Sequence, residues 1–301
     1  MKIQSVSSFK NQAKAEEFFK NWYKRISELN QTNYERIEIE SLLGKTVVWG
    51  INSDKKDLKT LVIFPGFRTC GFFWDFDNGL AELRKKYRIF LVDVNGQPSL
   101  SDGNAPAIKS NDYGIWAADL LKKLGIEKTV IAGASFGGLV CAKLCLVAPE
   151  IVEKTVLLNP GCLQPFSMSL KNLYYNILPL VSPGRKNVES FLDNAVFYKD
   201  HHKLSPGFKE IIIDYELFAI KEYKDKTQKP YAMSTEDLGN IKSDMYLLLG
   251  DKDILFPTQK SKSVAEANIK SLKKTYIVQD TGHGIETSKE AMKILGDIME
   301  F

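Results

Sequence analysis

Between residues 9 and 29 the large apolar positions Phe18, Phe19, Trp22, Ile26 and Leu29 recur at intervals of three and four. That period predicts an amphipathic helix within an N-terminal segment 1–30, its Lys and Glu side chains outward. Because its charges are mixed in sign, the helix suits docking on the protein body better than lying on a membrane. The period then changes. Residues 34–39 alternate apolar and polar, and residues 46–51 are apolar after Gly44, which predicts an opening hairpin of two strands. Four short apolar runs follow, at 61–64, 89–94, 129–132 and 155–158, separated by helical stretches. Strands alternating with helices predict a mostly parallel, twisted sheet with helices on both faces. The helix between the second and third run has local end signals, Asn111 as an N-cap and Gly125 as the residue beyond its C-terminus.

After Gly161 the strand pattern stops. Residues 162–242 are rich in aromatic side chains and broken at Pro183-Gly184 and Pro206-Gly207, which predicts a helical insertion. Sheet pattern resumes at 245–249 and 275–278, before a last helix over about 288–299. The chain thus divides into the N-terminal helix 1–30, a core made of 31–161 and 243–301, and the insertion 162–242.

Composition removes several alternatives. With 301 residues, 44% hydrophobic and 26% charged, the chain has ordinary globular values and length for one elaborated domain. Its 41 basic and 37 acidic residues are scattered, so no basic stripe marks a nucleic-acid face. Residues 1–12 are polar, unlike a signal peptide, and no run of about 18 apolar residues could span a bilayer. The four cysteines, Cys70, Cys141, Cys145 and Cys162, form no CxxC pair and suit small buried thiols in a reducing cytoplasm. With only three histidines, His201, His202 and His283, and no spaced cluster of His, Cys and carboxylates, a metal site has little to be built from. Of these, His201 and His202 sit among Lys199, Asp200 and Lys203 and read as surface residues.

One segment carries chemistry. Residues 129–138 read T-V-I-A-G-A-S-F-G-G: a β-branched strand runs into G-x-S-x-G and then into an apolar helix. A serine at a sharp strand-to-helix turn needs small neighbours, which Gly133 and Gly137 supply. The turn exposes the Ser135 hydroxyl at the carboxyl edge of the sheet and aims the Phe136 N–H at developing negative charge. Such a hydroxyl needs a base, and the base needs an orienting group. His283, between Gly282 and Gly284 just after the last strand, is placed to be the base. Two carboxylates, Asp251 and Asp253, follow the penultimate strand. Chain order serine, aspartate, histidine agrees with a nucleophile-elbow hydrolase.

These separated motifs resemble the α/β-hydrolase superfamily, in particular its carboxylesterase-like members with a helical cap, from about Tyr34 onward. The resemblance implies an acid placed by a Gly-x-x-Asp pattern with a proline beyond, which selects Asp253 before Pro257 and leaves Asp251 to the turn. It also implies that the loop Phe64-Pro65-Gly66-Phe67, with Trp74 downstream, supplies the second oxyanion donor from the Phe67 N–H. Pro65 stands where the family usually has histidine. The segment Asp93 to Ser99 matches the family's loop after the fourth strand and reads as structural.

The expected activity is acyl transfer to water from a small, apolar carboxylic ester through an acyl-enzyme, with no cofactor and no metal. Acyltransferase, thioesterase or C–C bond hydrolysis on the same residues, or a hydrolase-like receptor with little turnover, stay open alternatives. The expected partners are therefore small ester or acyl molecules, without nucleic acid or stable membrane insertion. Oligomeric state is not readable from these patterns.

Overall fold

A computed structural model describes residues 5–225 and 229–300. Eight strands form one sheet: β1 (Glu35–Ser41), β2 (Gly44–Ile51), β3 (Lys59–Phe64), β4 (Tyr87–Asp93), β5 (Thr129–Ala134), β6 (Val152–Leu158), β7 (Asp244–Gly250) and β8 (Leu272–Val278). Their spatial order is β1-β2-β4-β3-β5-β6-β7-β8. The opening hairpin β1–β2 joins β4 antiparallel, and every pair from β4 to β8 is parallel.

Alternate residues of the central strands serve the two faces of the sheet. Leu61 and Ile63 of β3 pack into one core and Val62 and Phe64 into the other. The first core takes α1 (Gln12–Asn30) and α9 (Lys289–Glu300), and the second takes α2 (Asp112–Lys123), α3 (Phe136–Val147) and α8 (Thr258–Asn268). Helix α1 starts where the Asn11 side chain accepts the Lys14 N–H, and Gly125 follows α2 with a left-handed φ of 67°. A carboxylate inside the first core, Asp93, accepts from Gly71 N–H, Trp49 Nε1 and Tyr23 Oη, and burial still pushes its pKa to about 6.

Helices α4 (Leu170–Val181), α5 (Arg185–Phe191), α6 (Pro206–Glu222) and α7 (Thr235–Asn240) lie between β6 and β7 in the chain. Helix α1 docks on α6. Phe18 stacks on Phe218 at 4.0 Å, Trp22 Nε1 donates to the Ile211 carbonyl, and Arg25 pairs with Asp214. Among the described residues, no helix is long and apolar enough to cross a membrane. The four cysteines are buried and unpaired with one another.

Candidate active site

Four of the parallel strands deliver one residue each to the same end of the sheet. Ser135 follows β5, Asn159 follows β6, Asp253 follows β7 and His283 follows β8. Open parallel sheets bind ligands at this edge because loops from neighbouring strands converge there.

Ser135 is held by the turn itself. Its φ of 49° and ψ of −112° lie in a region that costs a non-glycine residue about 1–3 kcal/mol. The surroundings impose it: Ser135 N–H donates to the Leu158 carbonyl, and its own carbonyl accepts from Gly138 and Gly161 N–H. The chain is too close for side chains on either side. A Cβ on Gly133 would lie 2.4 Å from the Gly137 carbonyl, and one on Gly137 would lie 1.9 Å from the Phe64 carbonyl oxygen. Phe136 opens α3, so its N–H is among those a helix leaves without an internal partner. The Phe67 ring meets the Phe136 ring at 6.1 Å, so the loop bearing Phe67 packs beside the start of α3.

The loop bearing Phe67, with Pro65 in it, is held by two hydrogen bonds. Arg68 N–H donates to Gln97 Oε1 at 2.7 Å, and Thr69 Oγ1 donates to the Gly66 carbonyl at 2.9 Å. The segment Asp93 to Ser99 therefore braces the loop beside Ser135 through Gln97.

His283 Nδ1 lies 2.8 Å from Asp253 Oδ2. The other carboxylate oxygen, Asp253 Oδ1, accepts the N–H groups of Leu255 and Phe256 at 2.8 and 3.0 Å. Those two donors fix the carboxylate, so it presents a single oxygen to the imidazole. Asp251 points elsewhere: it pairs with Lys252 and accepts the Thr281 N–H. Burial works to lower the His283 pKa, but the Asp253 charge, its hydrogen bond and the charge of Glu286 outweigh it, and the net shift is upward. His283 and Ser135 line the same cavity of about 300 Å³.

Three side chains that the sequence analysis did not single out shape this site. Asn159 Nδ2 donates to the carbonyls of Gly282 and His283, both at 3.0 Å, while its Oδ1 accepts the Gly250 N–H at 2.9 Å. One buried amide thus ties the acid loop to the histidine loop. Glu286, also lining the cavity, is only 7% exposed, and burial pushes its carboxyl to about 7. Across the cavity, Glu216 of α6 is likewise pushed by burial to about 7, against the charge of Arg68.

His202 corrects the sequence reading. It is buried, not on the surface: Nε2 lies 2.8 Å from Thr287 Oγ1 and Nδ1 accepts the Gly282 N–H at 3.3 Å. Burial lowers its pKa to about 4, so it is a neutral ring that packs the histidine loop from the insertion side. His201 is exposed as expected, 4.0 Å from Asp280. The glycines flanking His283 answer the same packing, since a Cβ on Gly282 would lie 2.6 Å from the Val196 carbonyl oxygen.

The insertion walls the cavity with different residues from those its composition suggests. Phe166 and Phe191 line it, but most of its apolar wall there is aliphatic, including Leu173, Ile177, Leu192 and Ile212. Phe208, Tyr215 and Phe218 instead pack toward α1 and the Phe72–Phe76 segment. Among the described residues, no group of three or more metal-ligating side chains is present.

The sheet order, the strained serine turn and the convergent loops define an α/β hydrolase. A family model for the alpha/beta hydrolase fold matches residues 59–206. Carboxylesterase YbfK of Bacillus subtilis (strain 168) is 24% identical over 257 residues, 83% of this chain and 81% of the relative. The uncharacterized carboxylesterase nap of the same organism is 26% identical, over 81% of this chain and 79% of its own length. The crystal structure of naproxen esterase (carboxylesterase NP) from Bacillus subtilis superposes with a TM-score of 0.79 at 22% identity, covering 95% of this chain and 98% of that one. The chain thus has the alpha/beta hydrolase fold, and its similarity to these carboxylesterases supports a hydrolase of carboxylesterase-like type.

Proposed function

We propose that the protein is a serine esterase that cleaves small, apolar carboxylic esters through an acyl-enzyme, with Ser135 as nucleophile, His283 as base and Asp253 as its orienting acid. One observation carries the reading: the carboxylate-oriented imidazole and the strained serine line one apolar cavity. Asp253 accepts a hydrogen bond from His283 Nδ1–H and so keeps the proton on Nδ1, which leaves Nε2 unprotonated and able to take the Ser135 hydroxyl proton. The serine oxygen then adds to the ester carbonyl carbon, and the negative charge on the carbonyl oxygen is met by the Phe67 and Phe136 N–H groups. Collapse breaks the bond to the alcohol oxygen, which leaves with the proton from the imidazolium. Water, deprotonated by the same histidine, adds to the acyl carbon, and Ser135 is released with its proton restored.

Helices α4 to α6 act as a cap that sets acyl preference, because α4, α5 and α6 supply Leu173, Phe191 and Ile212 to the cavity. Nucleophile, base and donors all belong to this chain, so the reaction as written uses no resident cofactor or metal.

A panel of p-nitrophenyl esters of graded acyl length tests the proposal. Turnover is expected on short to medium chains and lost in Ser135→Ala. Folded wild-type protein that turns over none of them would overturn it. Product analysis with a competing alcohol separates hydrolysis from acyl transfer.

A further inference from the structure

Helix α4 carries an apolar stripe that none of the described residues covers. Leu170 is 87% exposed and Val181 71%, and Tyr174, Ile177 and Leu180 between them are exposed as well. Met168 extends the patch past the helix N-terminus. Spacings of four, three and four place Leu170, Tyr174, Ile177 and Val181 on one side of the helix. A contiguous exposed apolar face of this kind marks a contact surface.

Charge identifies what covers it. Residues 154–188 contain no Asp or Glu, and Lys171 and Lys186 flank the stripe. Among the described residues, neither lysine makes an ion pair, whereas Arg185 is shared by Glu189 and Glu210. An apolar helix face with an aromatic residue, flanked by cations and free of carboxylates, matches an anionic lipid interface. A second copy of the chain fits poorly, since pairing α4 with its own equivalent would bring these lysines together with no acid between them.

The stripe is also continuous with the cavity. Ile177 and Leu180 are half-exposed on the outside and line the cavity that holds Ser135 and His283. We propose that α4 docks the protein on anionic lipid surfaces, Leu170 and Val181 inserting and Lys171 and Lys186 meeting the headgroups. An apolar ester dissolved in that surface would then reach Ser135 past Ile177 and Leu180. The entry route rests on the esterase reading, whereas docking does not.

Sedimentation with large vesicles of phosphatidylcholine, with and without phosphatidylglycerol, tests the docking without measuring turnover. Binding is expected to the phosphatidylglycerol vesicles and to weaken in high salt. Leu170→Ser with Val181→Ser should weaken it by roughly tenfold or more, and Lys171→Glu with Lys186→Glu should remove the preference for anionic lipid. Both substituted pairs lie outside the cavity lining, so hydrolysis of a soluble ester by these variants reports separately on the esterase reading. No sedimentation with phosphatidylglycerol, or equal sedimentation of wild type and Leu170→Ser/Val181→Ser, would overturn the inference. A dimer in size-exclusion chromatography that the serine variant dissolves would overturn it too, assigning the face to a second copy.

Discussion

Replacing Asp253 by Asn isolates the role of its two oxygens. The side chain keeps its shape, and its amide oxygen must stay toward the N–H groups of Leu255 and Phe256, because the NH₂ group there would face two donors. The NH₂ then occupies the place of Oδ2, 2.8 Å from His283 Nδ1. Only an unprotonated Nδ1 can accept from it, so the ring's proton moves to Nε2, the atom that must take the proton of Ser135. A tautomer error of this kind in other triads costs about 10⁴ in kcat, or about 5.5 kcal/mol at 1.36 kcal/mol per tenfold. Both backbone bonds survive, so the thermal midpoint should move little. The comparison variant is Asp251→Asn, whose side chain meets Lys252 and the Thr281 N–H and which should leave kcat within about threefold. Steady-state kinetics on p-nitrophenyl butyrate, with thermal melts of both variants, gives the answer. A folded Asp253→Asn protein with more than about a hundredth of wild-type kcat, or a larger loss in Asp251→Asn, would refute the reasoning.

Asn159→Ala removes three hydrogen bonds and leaves the Gly250 N–H and two carbonyls buried, so it should destabilise by roughly 2–5 kcal/mol in chemical denaturation; an unchanged midpoint would show that the tie between the two loops is dispensable. The acid limb of kcat/KM should have a midpoint above the ordinary histidine value, because Asp253 and Glu286 together overcome burial, and Glu286→Gln should move that midpoint to lower pH. Glu286 binds its proton more tightly folded than unfolded, so its contribution to stability is lost as pH rises from the ordinary glutamate value through about 7. Glu286→Gln should accordingly raise the melting temperature at pH 8 relative to wild type, a gain absent at pH 4. Phe191→Ala, which enlarges the cavity, should shift acyl preference to longer chains by up to about 0.8 kcal/mol per added methylene. Phe218→Ala, which removes the ring contacts with Phe9, Phe18 and Phe19, should lower stability and leave the length profile alone.

What the sequence made legible was written in local patterns. Ser135 is legible because a strand, two glycines and the start of a helix stand in the ten consecutive residues 129–138, and the steric reason for each glycine holds in the fold. Asp253 and His283 could be placed at the ends of particular strands for the same reason, and backbone donors next in sequence orient the acid. Residues that act across loops left fainter traces. Asn159 follows β6 in Leu158-Asn159-Pro160-Gly161, a plain turn until the neighbouring strands bring Gly250 and His283 to its amide. His202 has charged neighbours in sequence, yet its ring turns inward to Thr287 and Gly282 because the insertion folds back over the last loop. The aromatic content of the insertion was legible but not its direction: α6 turns Phe218 toward α1 and Ile212 toward the cavity.

The central claim is that Ser135 is a nucleophile activated by His283, and covalent labelling tests it most directly. A fluorophosphonate reacts only with a serine that is deprotonated in place and whose adduct oxygen meets waiting N–H donors. Mass spectrometry of the intact protein should show one adduct, mapped to the peptide containing Ser135, with a labelling rate that falls as His283 becomes protonated. Ser135→Ala should abolish the adduct, His283→Ala should slow it severely, and His201→Ala should leave it unchanged. Folded wild-type protein that stays unlabelled on prolonged exposure, or an adduct that forms elsewhere and survives Ser135→Ala, would contradict the account.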